Sequence, residues 1–169
     1  MKKSTFLYFL LVSFCLLGAS SIQAQRGLIL STKIASDSDD AEERGLNASS
    51  NPGLIDLTSS DIELVEDGGD GNQFVGLRFA SVNLPANAIL DSAFIQFTVD
   101  ETNSGATSVT IRAEDEDSSV TFAAITNNIS SRATTTDSVN WNTIPAWAVV
   151  GQADLDQRTP DISSLVNTI

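Results

Sequence analysis

Apolar and polar residues alternate along several short stretches of the chain, and this alternation is typical of β-strands that bury one face. The clearest case is Ile89 to Val99 (ILDSAFIQFTV), where polar residues occupy alternate positions. Its apolar face carries Ile89, Ala93, Ile95, Phe97 and Val99. The pattern predicts a half-buried antiparallel strand at this position.

Four further stretches show the same pattern over a shorter length: Phe74 to Val82, Ser108 to Glu114, Leu28 to Ile34 and Asp61 to Val65. In the first of them, Val75 and Leu77 are predicted to face the core and Arg78 to face away. Segments rich in Gly, Pro, Asn and Asp separate the stretches and favour turns. Short strands at this spacing predict an all-β protein, an antiparallel β-sandwich.

The end of the chain has a helical pattern instead. Thr159 suits an N-cap and Pro160 suits the first helical position. An apolar stripe follows with helical spacing, at Ile162, Leu165, Val166 and Ile169. We therefore expect a short C-terminal helix. Because the stripe runs to the last residue without a stop signal, we also expect the sequence to be a fragment that ends before the module is complete.

The N-terminus has the three parts of a secretory signal peptide. Lys2 and Lys3 precede an apolar run from Phe6 to Leu17, and small residues then lead to Ala24. An uncleaved membrane anchor is the alternative, but the run is shorter than the about 20 residues that span a bilayer. The pattern predicts a signal peptide over residues 1–24, a single module over residues 25–169 with no membrane span, and a secreted, extracellular or cell-surface location.

Charge and composition exclude several functions. Without Lys2 and Lys3, seven basic residues face 22 acidic ones, a balance that disfavours nucleic acid as a partner. Cys15, in the predicted signal peptide, is the only cysteine, and histidine is absent. Catalytic triads with histidine are therefore excluded, and we expect the protein not to be an enzyme. A lyase or glycosidase that uses paired carboxylates is the remaining catalytic alternative.

The stretch Ser36 to Glu43 (SDSDDAEE) holds five carboxylates. Calcium takes about six to eight oxygen ligands, and the spacing here does not match an EF-hand. One interpretation is a Ca²⁺ site, with ligands at Asp37, Asp39, Asp40 and Glu42. The other is a polar strand edge or loop whose carboxylates face water, as most charge runs do.

Two tryptophans lie close together in the sequence, at Trp141 and Trp147. Carbohydrate-binding proteins stack aromatic rings on sugars and bind the hydroxyls with amides and carboxylates. Trp141, Asn140, Asn142 and Trp147 are therefore candidate ligand-binding residues. The alternative is that one or both tryptophans fill the core.

Four arginines stand out in so acidic a chain: Arg78, Arg112, Arg132 and Arg158. A guanidinium can donate to both oxygens of a carboxylate, so we expect these arginines to pair with carboxylates inside the domain. The alternative is that some of them bind the carboxylates of an acidic polysaccharide.

The order of several short motifs resembles DNRLRE-type modules, which are disaggregatase-related, carbohydrate-binding-module-like domains of secreted bacterial proteins. The resemblance covers residues 30–169 and is carried by Arg78-Phe79, Leu84 to Ala86, Ala93 to Val99, Val139 to Trp141 and Asp161 to Ser163. It implies a jelly-roll β-sandwich that is one module of a larger extracellular protein. It also implies acidic polysaccharide as a ligand in some members and structural calcium in others.

Together these features predict a non-catalytic extracellular carbohydrate-binding module. Its partners would be a polysaccharide or cell-surface glycan and other modules of the same full-length chain. The alternative is a structural or adhesive domain of the cell envelope that binds no small ligand.

Overall fold

The computed structural model describes residues 27–64, 66–68, 71–105 and 107–169. The chain divides into two compact units, Met1–Leu30 and Ser31–Ile169. The signal peptide predicted over residues 1–24 lies outside the described residues. The helices and strands that the structure describes all belong to the second unit.

The first sheet has three antiparallel strands in the order β2-β1-β3. Strand β1 is Asp40–Arg44, β2 is Ile55–Asp56 and β3 is Gln73–Leu77. The central strand β1 lies within the acidic stretch, for which a polar strand edge or a loop was one interpretation. It is the middle strand of the sheet, although Asp and Glu are depleted from strands.

The buried apolar cluster of this sheet consists of Ala41, Ile55 and Phe122, with Leu57 and Ile129 packed against it. Gly76 of β3 lies under the Phe122 ring: a Cβ at this position would be 2.5 Å from the ring Cζ.

The core face predicted for β3 is confirmed only in part. Val75 and Leu77 are half-buried, but the buried cluster lies on the face of Gly76, where Phe74 is 44% exposed. An alternation pattern identifies the core face of a strand from the apolar side chains on it. It does not identify a face whose central residue is a glycine that leaves space for an aromatic ring.

The second sheet pairs β4 (Thr107–Ile111) with β5 (Val139–Ile144). The alternation predicted over Ser108 to Glu114 is confirmed as far as residue 113, because Val109, Ile111 and residue 113 are half-buried whereas residues 108, 110 and 112 are exposed. Glu114, which was predicted to face outward, is half-buried. In β5, Trp141, which is opposite Val109, and Ile144, which is opposite Thr107, are buried.

The burial predicted for Ile89 to Val99 is wrong for Ile89, which is 83% exposed. It is confirmed from residue 93 onward, where odd-numbered residues are half-buried or buried and even-numbered residues are exposed. This segment pairs with the chain end, for example through Phe97 N to Gln157 O at 2.9 Å and Thr159 N to Ile95 O at 3.0 Å. The pairing is irregular, because the backbone N–H of Ile95 bonds to the Thr159 hydroxyl.

These pairings join into one antiparallel ribbon. Asn103 and Trp147 exchange two backbone hydrogen bonds of 3.0 and 3.1 Å, which link the 93–99 pairing to the β4–β5 pairing. Beyond β4, Asp115 N bonds to Ala133 O at 3.0 Å. Residues 93–115 thus run alongside residues 133–162.

Two of the shorter strand predictions are wrong. The described residues of Leu28 to Ile34 and of Asp61 to Val65 form no strand; Val65 itself lies outside them. Leu28 and Ile29 are exposed, and the Glu63 N–H bonds to a side chain instead of a neighbouring strand.

The short C-terminal helix is confirmed but begins later than predicted. Helix α1 is Ser163–Val166. Thr159 does not cap it, because its hydroxyl accepts a hydrogen bond from the backbone N–H of Ile95. Asp161 accepts hydrogen bonds from Ala93 N and also from Ser163 N, the first residue of the helix. A short 3-10 helix, Leu155–Gln157, precedes them.

With two antiparallel sheets and almost no helix, the second unit is all-β, as predicted. Across the described ranges, none of the helices has the length and apolar character needed to cross a bilayer.

Gly76→Ala tests the packing of the first sheet. We expect it to lower the free energy of unfolding by about 1–3 kcal/mol, because the added methyl group meets the Phe122 ring. Gly105→Ala is the control, since the nearest atom to its Cβ is 3.4 Å away, and it should change stability by less than about 0.5 kcal/mol. Urea unfolding measures both; equal effects would contradict this account of the core.

Candidate functional site

The acidic stretch forms a turn and most of strand β1, and it is largely internal. Asp39, Glu42 and Glu43 are only 3%, 6% and 1% exposed, whereas Asp37 is exposed and Asp40 half-buried. The interpretation of a solvated acidic edge is therefore wrong for these three residues. We call them the β1 carboxylates, although Asp39 directly precedes the strand. A buried carboxylate needs hydrogen-bond donors, and each of the three receives them from a different part of the chain.

Asp39 pairs with Arg78 at the end of β3. Arg78 Nη1 lies 2.5 Å from Asp39 Oδ1, and the Ser36 hydroxyl donates to Oδ2 at 3.0 Å. The guanidinium also donates through Nε to the carbonyl of Ser119 at 2.8 Å. This ion pair joins β1, β3 and the segment before Phe122.

Glu43 holds a turn on the other side of the core. Its Oε2 accepts hydrogen bonds from the backbone N–H groups of Ile129 at 2.7 Å and Ser130 at 2.9 Å. Hydrogen bonds to an ionised acceptor are about twice as strong as neutral ones. Glu43 thereby attaches the turn that carries Ile129 to the first sheet.

Glu42 faces away from that core and contacts a second carboxyl group. Its Oε1 accepts hydrogen bonds from Glu63 N at 2.8 Å and from Gln73 Nε2 at 3.1 Å. Burial raises the pKa of Glu42 to about 8, helped by a hydrogen bond between its carboxyl and that of Glu63. Glu63 Oε2 is buried and has no hydrogen-bond partner among the described residues.

A polar cavity of about 220 Å³ lies beside Glu42. It is lined by Glu42, Arg44, Leu54, Ile55, Asp56, Ser59, Asp67 and Gln73. Hydrogen bonds from the Thr58 backbone and hydroxyl lower the pKa of Asp56, so it is ionised opposite a protonated Glu42. An acid and a base are thus neighbours. However, Glu42 is nearly fully buried, and its carboxyl group accepts hydrogen bonds from within the protein and is not open to a substrate.

The predicted metal ligands Asp37, Asp39, Asp40 and Glu42 are not brought together around one point. Asp39 is paired with Arg78, and the strand alternation directs Asp40 and Glu42 to the opposite face from Ala41. In the part of the chain that the structure describes, no group of three or more acidic, Cys or His side chains can hold a metal ion. Calcium binding stays a prediction.

The two tryptophans form an aromatic cluster with Phe97. The Trp141 ring stacks on Phe97 with centroids 5.9 Å apart, and Trp147 lies 6.0 Å from Phe97 and 6.3 Å from Trp141. Trp141 is buried, with 7% of its surface exposed. Trp147 is half-buried, and its Nε1 donates to the carbonyl of Asp156 at 3.2 Å.

The predicted sugar-binding set is divided between two faces of β5. Asn140 and Asn142 alternate with Trp141, so they are exposed on the outer face while the indole faces inward. The Asn140 amide oxygen accepts a hydrogen bond from the Thr110 hydroxyl at 3.0 Å across the strand pair. The structure does not bring these asparagines and Trp141 into one surface.

The prediction of internal ion pairs is confirmed for two of the four arginines. Arg132 pairs with Glu114 at 2.9 Å, as Arg78 pairs with Asp39. Arg112 instead donates to backbone carbonyls, and Arg158 lies over an aromatic ring.

Sequence reasoning missed Glu43 and Glu63. Glu43 is the one carboxylate of β1 that was left out of the metal set, and it is also the most buried. Its only local signal is the apolar neighbour Ala41 two positions before it, on the same face of the strand. Glu63 gives no local signal, because its partner lies 21 residues away.

Comparisons of the chain with models of protein families, with curated proteins and with solved structures found no match. The resemblance to DNRLRE-type modules therefore stays a prediction.

Glu43→Ala tests the structural role of the β1 carboxylates. It removes the acceptor of two part-buried hydrogen bonds from backbone N–H groups, so we expect a loss of about 1–3 kcal/mol in the free energy of unfolding. The exposed Asp37→Ala is the control and should lie within about 0.5 kcal/mol of the wild type. A Glu43→Ala protein as stable as the control would refute the role of this carboxylate.

The raised pKa of Glu42 predicts a pH dependence of stability. The pKa of Glu42 in the folded protein, about 8, lies above its ordinary value of 4.5. The contribution of Glu42 to the free energy of unfolding is therefore complete below pH 4.5 and is lost as the pH rises to about 8. Glu42→Gln, which mimics the protonated form, should remove this decline. Chemical denaturation from pH 4.5 to 9 compares the two proteins. Parallel curves would show that Glu42 titrates normally.

Proposed function

We propose that this chain is a non-catalytic β-sandwich module of an exported protein, with a structural or adhesive role at the cell envelope. The observation that carries the proposal is the packing of Trp141 inside the aromatic cluster, stacked on Phe97 and 7% exposed. A ring in this position packs in the protein interior and stabilises it. The β1 carboxylates likewise make hydrogen bonds within the protein.

Other features support parts of the proposal. The continuous ribbon of residues 93–115 and 133–162 is the kind of long antiparallel pairing from which a jelly-roll sandwich is built. The pattern of residues 1–24 supports export to the cell surface. The absence of histidine supports a non-catalytic role. The motifs similar to DNRLRE-type modules favour attachment to further modules of a longer chain.

Carbohydrate binding is the second candidate function. It is favoured by the outer face of the β4–β5 pair, where Asn140 and Asn142 are exposed beside Thr110. These amide and hydroxyl groups are uncharged and can exchange hydrogen bonds with sugar hydroxyls. The partner would be a polysaccharide or cell-surface glycan.

Tryptophan fluorescence tests the structural role. Trp141 and Trp147 are the only tryptophans of the chain, so Trp147→Phe leaves Trp141 as the single reporter. We expect acrylamide to quench it weakly and added glycans to leave its emission unchanged, because its ring is buried. Trp141→Phe is the matched control, in which the half-buried Trp147 should be quenched more strongly. Strong quenching of Trp141, or its protection by a glycan, would contradict the proposal.

A further inference from the structure

The outer side of residues 93–99 is an open strand edge. Odd-numbered residues of this segment direct their backbone groups toward the chain end, as in the bond of 2.9 Å from Phe97 N to Gln157 O. Backbone groups alternate in direction along an antiparallel strand, so three residues point theirs the other way: Phe94, Gln96 and Thr98. Among the residues that the structure describes, none forms a hydrogen bond with these N–H and C=O groups. We call this row of backbone groups the 94–98 edge.

The 94–98 edge lacks the features that normally keep strand edges apart. Natural edge strands are short, or carry a charge, a proline or a bulge that blocks further pairing. Residues 92–99 (SAFIQFTV) contain no charged residue, proline or glycine. By contrast, β2 is two residues long, the β4–β5 pair contains a register shift, and Asn72 at the start of β3 bridges Glu66. The 94–98 edge can therefore accept another strand.

The apolar face beside this edge is incompletely covered. Ile95 and Phe97 are only half-buried, although Phe97 stacks on the buried Trp141. A strand added along an edge places its side chains next to those of the edge strand, on the same face of the sheet. An added strand with apolar residues at alternate positions therefore shields Ile95 and Phe97 from water. The segment that fits here is extended, uncharged and alternating.

We propose that the 94–98 edge pairs in antiparallel orientation with the same edge of a second copy of this chain. Residues 92–99 themselves have the required alternation, and they are uncharged in a chain with a net charge of −13. Two copies that repel each other over an acidic surface approach most easily along an uncharged strand. The backbone groups of Phe94 and Gln96 then bond to those of Gln96 and Phe94 in the second copy. This self-association goes beyond the proposed function and does not depend on it.

Charge and side-chain size favour one register of this pairing. With Ile95 opposite Ile95 of the second copy, each Phe97 ring lies opposite the small Ala93, and no two carboxylates are directly opposite each other. Moving the centre forward by one residue places Asp91 opposite Glu101, and like charges in that position are destabilising. Moving it back by one residue places Asp91 opposite the Phe97 ring. We therefore expect the pairing to be centred on Ile95.

Sedimentation equilibrium of the full chain, at up to about 100 μM, measures the association. We expect a monomer–dimer equilibrium that strengthens as NaCl is raised from about 0.05 to 0.5 M, because salt screens the repulsion between acidic copies. Gln96→Pro removes an N–H of the 94–98 edge and should raise the dimer Kd at least about tenfold. Gln96→Ala is the matched control. It also loses the side-chain bonds to the Phe97 and Asp154 carbonyls but keeps the N–H, so its Kd should stay within about twofold of wild type.

Disulfide cross-linking tests the register without a proline. In a Cys15→Ser background, Ile95→Cys should give a disulfide-linked dimer on mild oxidation. The reason is that residues opposite each other at non-hydrogen-bonded positions have Cα atoms about 4.5 Å apart, which a disulfide can span. Thr110→Cys, exposed on β4, is the control and should remain monomeric under the same conditions.

Three results would overturn the proposal: a wild-type chain that stays monomeric at every salt concentration, a dimer that Gln96→Pro leaves as tight as wild type, or an Ile95→Cys cross-linking yield no higher than that of Thr110→Cys. Thermal melts show whether each variant is folded. If Gln96→Pro does not fold, the cross-linking result decides.

Discussion

The burial of carboxylates in a central strand is the constraint on which the first sheet depends. Removing an ionised carboxylate from water costs several kcal/mol unless donors replace the lost hydration. Asp39 obtains its donors from Arg78 and Glu43 from the backbone at Ile129 and Ser130. The segments that cover the sheet are therefore positioned by the electrostatic requirements of β1 as well as by apolar packing.

The two sheets meet the need for a stable interior in different ways. The second is closed by aromatic packing, with Phe97, Trp141 and Trp147 in mutual contact. The first has a small apolar cluster and relies on polar contacts around it. Because Cys15 is the only cysteine, the second unit has no disulfide to support either arrangement.

The intramolecular contacts of the carboxylates and indoles limit which of them can bind a partner. Carboxylates and indoles are the residues from which cation and sugar sites are usually built, and here most of them are bound to other parts of the same chain. What remains for partners is the outer surface.

The alternation of residues determined by itself that the second unit is all-β, and it gave the inward faces of the 93–99 and 108–113 segments correctly, because a strand has a local period of two. Only the tertiary structure decided the rest. Whether Glu43 faces water or the interior depends on a turn 86 residues away, and the core face of β3 depends on a ring that fits above Gly76. The side of β5 that carries Trp141 is buried because Phe97, from another part of the ribbon, stacks on it. Such contacts join distant segments, and no local pattern encodes them.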